Sequence, residues 1–345
     1  MITVKQAYLK CREVLKNAEI ENEAFDALCL FEKATGLDRI GIISRGGEEL
    51  SDEKFKYLME ITRRRADREP LQYLIGRWNF CGFDFYVGRG VLIPRDDTEV
   101  VVNLCLDFIK KSSASTRNSS RQIDIIKPSL PDRFRAVSYK VKKSSASTRN
   151  SSRKVDIINP SLPDRFRAVS CKVKNSHAEK ALDLCAGSGA ICVALSKLTN
   201  IDTTAVEFSD VAFEFLKKNI AHNNAKVKPV KGDIFKCHGD FEDGTFDLIV
   251  SNPPYIKSEE IPTLQEEVRR EPSIALDGGI SGYDFYEAII DNWSSKLAFG
   301  GALAFELGEG QFDYVKSLMS AKGYGNFKSG IDLGGVQRAI IGTKL

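Results

Sequence analysis

Apolar residues recur at the three- and four-residue spacing of a helix face through the first sixty-odd positions. Val4, Ala7, Tyr8, Cys11, Val14, Leu15 and Ala18 fall on one stripe, and Thr3 followed by Gln6 has the form of a capping box, so the pattern predicts a helix over 3–18. A second helix is expected through Ala24, Phe25, Leu28 and Phe31 to a stop at Gly36. A third begins near Ser51, places Asp52 and Glu53 where the helix dipole favours negative charge, and continues through Phe55, Leu58 and Met59. The run Arg63, Arg64, Arg65 that follows reads as a solvated last turn. Residues 1–75 thus read as a helical domain. The texture then changes: residues 76–95 are rich in aromatics and glycine, and the alternation of Phe83, Phe85 and Val87 predicts a hairpin linker.

A further helix is expected over 99–110, and from Lys180 onward the period shifts to strand, helix, strand, helix. Short apolar runs at 180–185, 202–208, 227–233, 246–251, 300–308 and 337–344 read as strands, and 190–198, 209–223, 283–297 and 311–320 as helices. Such alternation implies an α/β domain over 96–345, a mostly parallel sheet covered by helices, with ligands at the carboxyl ends of its strands.

One segment interrupts this domain. Residues 111–142 recur almost unchanged as 143–174, differing only at Gln122/Lys154, Ile123/Val155, Lys127/Asn159 and Tyr139/Cys171. Two copies are too few for a solenoid, and each combines a Ser/Thr/Asn/Arg tract with two prolines, the composition of an exposed insertion. Its charge alters the meaning of the whole-chain value of +3: residues 111–174 carry +12 and the remainder −9. Outside the insertion, charge gives no reason to expect a nucleic-acid partner.

Composition narrows the remaining classes. The eight cysteines are scattered without a C-x-x-C and are not grouped with the three histidines into a ligand set, His238 beside Cys237 being a lone pair, which removes zinc and iron–sulfur sites and makes reduced thiols the default. No run approaches the roughly 18 apolar residues of a membrane helix. The first 25 residues lack an apolar signal core and contain four acidic residues, so the expected location is cytoplasmic.

The chemistry concentrates where strands end. Asp183, Leu184, Cys185, Ala186, Gly187, Ser188 and Gly189 close one strand and open a helix. A dinucleotide fingerprint would need a third glycine where Cys192 stands, and the carboxylate of Asp183 would repel a pyrophosphate. S-adenosylmethionine fits better: its ammonium can lie near Asp183 and its carboxylate near a helix N-terminus. Glu207 ends the next strand, 20 residues after Gly187, where an acid accepts from ribose hydroxyls. Asn252, Pro253, Pro254 and Tyr255 follow the strand 246–251. A planar NH2 group is a weak nucleophile because its lone pair is delocalised. The Asn252 side-chain oxygen and Pro253 carbonyl can each accept one of its hydrogens while the Tyr255 ring covers it, which is catalysis by positioning.

With these motifs in view, the chain resembles the HemK/PrmC family of N5-glutamine methyltransferases that modify class I peptide chain release factors. The resemblance rests on REPLQYLIG (68–76), VLIPRDDTE (91–99), DLCAGSGAI (183–191), SNPPYI (251–256) and EVRREPSIALDGG (267–279). It implies a Rossmann-like seven-stranded class I methyltransferase domain behind a small N-terminal helical domain that helps bind the release factor, and a substrate glutamine in a Gly-Gly-Gln motif. On matching positions it assigns Cys185, Ala186, Gly187, Ser188 and Gly189 to the methionine end of S-adenosylmethionine and Glu207 to the ribose. Ile234, following Asp233, would flank the adenine, and Asn252, Pro253, Pro254 and Tyr255 would hold the glutamine. Two departures stand out: Cys185-Ala186 replaces Gly-Thr, and Asp96-Asp97 replaces Pro-Glu. Methylation of an exocyclic amino group in RNA or DNA is the alternative, favoured only by the basic insertion. A binding module damaged by the insertion is a third reading, opposed by the presence of Asp183, Glu207 and Asn252.

Overall fold

The structure is a computed structural model that describes residues 1–114 and 180–345. The duplicated segment beyond residue 114, with Cys171, lies outside the described residues. In the N-terminal unit, β1 (Ile2–Thr3) pairs antiparallel with β2 (Glu49–Leu50), around α1 (Val4–Asn17), α2 (Glu23–Thr35) and α3 (Arg39–Ser44). The predicted capping box is complete: Thr3 N donates to Gln6 Oε1 at 3.0 Å and Gln6 N to Thr3 Oγ1 at 3.3 Å. Helix α2 stops at Gly36, whose φ of +77° turns the chain out of the helix. α4 (Asp52–Ala66) starts at Ser51 as expected, and α5 (Leu71–Ile75) completes the unit. Ala7, Cys11, Leu15, Leu30, Phe31, Leu58 and Ile61 form its core. The two-residue strands and α3 were not predicted, because such short elements show no periodicity.

The arginine run departs from the reading as a solvated turn. Arg63 and Arg64 are exposed, but Arg65 is buried, with Nε donating to Asp26 at 2.6 Å and Nη1 to Glu267 at 3.0 Å. The reason lies in the helical period: Leu58, Ile61, Thr62 and Arg65 share the inward stripe of α4, so the third arginine must enter the interior and be paired there. Glu267 belongs to a distant segment, and Arg270 of that segment approaches Asp67 at 3.4 Å, so charge pairs fasten the helical unit to the rest of the chain.

The hairpin follows as β3 (Arg77–Phe80) and β4 (Phe83–Tyr86). Then come α6 (Thr98–Ala114), β5 (Lys180–Leu184), α7 (Ala190–Thr199), β6 (Asp202–Glu207), α8 (Asp210–His222), β7 (Val227–Lys231), β8 (Phe246–Ser251), α9 (Glu266–Arg269), α10 (Asp284–Trp293), β9 (Leu297–Glu306), α11 (Phe312–Ala321), β10 (Tyr324–Ile331) and β11 (Gln337–Lys344). Residues 111–114 thus extend α6 rather than opening the insertion. The seven strands order as β10-β11-β9-β8-β5-β6-β7, parallel from β9 to β7, with β11 antiparallel to both its neighbours. β10 has no counterpart among the predicted strands, since Gly325, left-handed Asn326 and Gly330 break its alternation, and two register shifts in its pairing show the cost.

Apolar side chains cover both faces of the sheet. Val102, Cys105 and Ile109 of α6 and Val193 and Leu195 of α7 pack on one face; Tyr286, Ile289 and Trp293 of α10 and Val315 and Met319 of α11 pack on the other. Because the chain runs outward from β5 through β6 and β7 and then returns to β8 beside β5, the loops leaving β5 and β8 diverge. That divergence opens a crevice at the carboxyl ends of the two central strands.

Candidate functional site

Every residue singled out from the sequence stands at this carboxyl edge. Asp183 pairs in register with Ala205 and Val250, Leu184 with Ser251, and Glu207 with Lys231. The loop after β5 is shaped by backbone conformation: Cys185, Gly187 and Gly189 all have positive φ, at +60°, +55° and +84°. Gly189 has a second constraint, for a Cβ there would lie 2.6 Å from Leu216 Cδ1. Cys185 occupies the position where the family pattern has glycine, and left-handed backbone costs a non-glycine residue ~1–2 kcal/mol. Its side chain packs against the core, and burial pushes its thiol well above the ordinary range.

Two carboxylates flank this loop. Asp183 is buried; Oδ2 accepts from Cys192 N at 3.0 Å, while Oδ1 has no hydrogen-bond partner. Burial lifts its pKa to about 7, with the charge of Glu207 adding to the effect and the bonds from Cys192 opposing it. Glu207 accepts from Gly187 N at 2.7 Å and from Ser209 N at 2.6 Å, and burial also raises its pKa. An ionised carboxylate has about four acceptor sites, so Glu207 retains capacity for hydroxyl donors. An orphaned buried oxygen on one acid and spare acceptors on the other suit a cationic, hydroxyl-bearing ligand. Asp233, after β7, accepts from Phe235 N and pairs with Lys236, and the adjoining Ile234 is buried with its carbonyl accepting from Trp293 Nε1.

Across the crevice, Asn252, Pro253, Pro254 and Tyr255 leave β8. Asn252 is half-buried and its Nδ2 donates to Thr98 Oγ1 at 3.3 Å; Pro253 and Pro254 are buried. Tyr255 Oη donates to Glu306 Oε1 at 3.3 Å, and Gln311 Nε2 donates to the Tyr255 carbonyl at 3.0 Å. Gly278 lies so close beneath that a Cβ would come within 2.7 Å of Tyr255 Cα. Glu306 is 2% exposed, and burial raises its pKa to about 7 against the opposing influence of Thr98 and Tyr255.

The sequence reading missed several residues here. Thr98 lies inside the run VLIPRDDTE with nothing in its spacing to mark it, and Glu306 is the lone acid closing an apolar strand, the one signal the sequence offers for it. Asn219 is buried on the apolar stripe of α8 with Ala212 and Leu216: its Oδ1 accepts from Tyr86 N, and its Nδ2 donates to the carbonyls of Tyr86 and Ser188. Glu271 accepts from Ile93 N and pairs with Arg95, tying down the approach to α6. Asp97, one of the departures from the family pattern, pairs with Arg338 at 3.4 Å.

Residues 6–76 match the PrmC N-terminal domain, and residues 167–276 match the methyltransferase small domain. The release factor glutamine methyltransferase of Geobacter sulfurreducens is 32% identical over 342 residues, covering 99% of this chain and 96% of its own length. That of Clostridium botulinum is 29% identical over 335 residues, covering 96% and 95%. Among solved structures, a methyltransferase from Pyrococcus furiosus is 26% identical with a TM-score of 0.38, over 48% of this chain and 75% of its own. Among the described residues no helix is long and apolar enough to cross a membrane.

Proposed function

The chain belongs to the release factor glutamine methyltransferase family, and on that premise we propose that it transfers the methyl group of S-adenosylmethionine to the side-chain amide nitrogen (N5) of the glutamine in the Gly-Gly-Gln motif of class I release factors. The observation that carries this reading is the juxtaposition across one switch point of the Asp183–Gly189 loop with Asn252, Pro253, Pro254 and Tyr255. When bound, S-adenosylmethionine would supply an electrophilic methyl on a sulfonium sulfur, whose S–C bond breaks as the N–C bond forms so that sulfur leaves as a neutral thioether. The residues of the chain do the rest.

Asp183, once ionised, would hold the cationic end of the cofactor, and Cys185, Ala186, Gly187, Ser188 and Gly189 its methionine portion. Glu207 would accept from the ribose, and Asp233 and Ile234 would border the base. On the acceptor side, the Asn252 Oδ1 and the Pro253 carbonyl each accept one hydrogen of the glutamine NH2, and Tyr255 covers the amide plane. The nitrogen lone pair is thereby turned toward the methyl, and one N–H proton leaves to water after transfer, once nitrogen carries positive charge. No general base is needed before the N–C bond forms. Incubation of the purified protein with a bacterial class I release factor and methyl-labelled cofactor, followed by peptide mapping, tests the assignment. Label on the Gly-Gly-Gln glutamine is the expected result; label on another residue, or only on added RNA, overturns it.

A further inference from the structure

We propose that Thr98 and Glu306 are positioning residues that determine which way the side-chain amide of Asn252 faces. The inference rests on the substrate role proposed for Asn252 above and deepens it. A side-chain amide offers an acceptor at one end and two donors at the other, and only the Oδ1 end can receive an N–H from a glutamine. If the amide were reversed, donors would confront donors. Something in the chain must therefore select the orientation.

The strand register brings the pieces together. Ser251 pairs with Phe305, so Asn252 and Glu306 leave β8 and β9 side by side, and Thr98, the first residue of α6, lies against both. Thr98 is 3% exposed and receives Asn252 Nδ2 on Oγ1 at 3.3 Å. A threonine hydroxyl alone selects nothing, because it can accept from Nδ2 or donate to Oδ1. An ionised Glu306 removes that freedom: being an acceptor only, it attracts the hydroxyl proton and leaves lone pairs facing Asn252. Tyr255 Oη, donating to the same carboxylate, is oriented by the same charge. The groups acting on Glu306 are Thr98, Tyr255, Asp97 and Arg338, while Tyr286 Oη donates to its backbone carbonyl. Protonation of Glu306 gives it a hydrogen to donate to Thr98, which frees the threonine proton for Oδ1 and reverses the amide.

The test compares Thr98→Val, Thr98→Ser and Glu306→Gln. With a purified bacterial class I release factor at saturating cofactor, Thr98→Val is expected to lower kcat by ~10–100-fold while Thr98→Ser retains most of it. The calorimetric Kd for the cofactor should stay within about twofold in both variants. In the unaltered protein kcat should fall as pH drops through about 7, and Glu306→Gln should be slow and lack that dependence. Independently of turnover, the 15N side-chain amide signal of Asn252 should shift in Thr98→Val and return in Thr98→Ser. An unchanged signal in Thr98→Val, or equal kcat in Thr98→Val and the unaltered protein, overturns the relay. Absence of release-factor methylation by the unaltered protein would instead overturn the function proposed above, and the amide signal would still decide the orientation.

Discussion

The two sides of the crevice are built from different materials. On the β5–β6 side the working surface is largely backbone: three positive-φ residues shape the loop, and amide N–H groups of Gly187 and Ser209 hold Glu207. On the β8–β9 side it is side chain upon side chain, with Asn252 on Thr98 and Tyr255 on Glu306, packed against a backbone that Gly278 lets close in. On the function proposed above, backbone suits the first side because a cofactor is the same at every turnover and only needs a fixed cradle. Oriented side chains suit the second because a nucleophile must be aimed, and an amide or hydroxyl has a direction that a cradle lacks.

If this division holds, damage on the two sides should separate in kinetics. The largest effect is expected from Asn252→Ala: removal of one oriented acceptor should lower kcat by ~10²–10³-fold while the calorimetric Kd for the cofactor changes far less. Single-turnover rates at saturating cofactor check this, and a comparable rate would remove Asn252 from the acceptor role. Glu207→Ala should do the reverse, weakening cofactor binding by ~10–100-fold through loss of charge-assisted hydrogen bonds, with kcat at saturation near that of the unaltered protein. Part of that loss belongs to the loop, since Gly187 N and Ser209 N lose their acceptor.

The smallest effect is a pH dependence confined to the cofactor side. Burial raises the pKa of Asp183 to about 7, so in the free protein the acid is neutral below that pH and charged above it. A cationic ligand that needs the charged form binds at full strength above pH 7 and weakens below it, by up to about tenfold per pH unit. Cofactor titrations by calorimetry on either side of pH 7 should show this slope, and Asp183→Asn should flatten it. Because Glu306 is predicted to govern kcat rather than cofactor affinity, the two titrations can be told apart even though both fall near pH 7. A flat affinity profile would place the cation elsewhere.

Contiguity along the chain decided what could be read from the sequence: Asn252, Pro253, Pro254 and Tyr255 form one run after a strand and were legible on the β8 side as well. Gly187, Gly189, Asp183 and Glu207 were legible because a backbone-shaped loop advertises itself through glycine and a strand-terminal acid. Thr98 and Glu306 were not, because their meaning arises only when β8 and β9 bring distant segments into register. Asn219 was hidden for a related reason: a lone polar residue on an apolar stripe gives no hint of which backbone groups it will satisfy. Helices α1, α2 and α4 were found by period, caps and a terminal glycine, whereas β10 escaped because its glycines and bulges erase the strand alternation. Arg65 is buried although the charge of its run favours solvent, because its place on the inward stripe of α4 outweighs that charge.

Asn219 has a consequence of its own. Its amide spends its acceptor on Tyr86 N and its two donors on the carbonyls of Tyr86 and Ser188, so a hairpin 133 residues upstream of Asn219 shares one hydrogen-bonded junction with the loop after β5. Thermodynamic reciprocity then applies: whatever factor an occupied loop contributes to the order of the hairpin, an ordered hairpin returns to the affinity of the loop. The hairpin between the helical unit and the sheet is thereby tied to the loop after β5 through a single side chain.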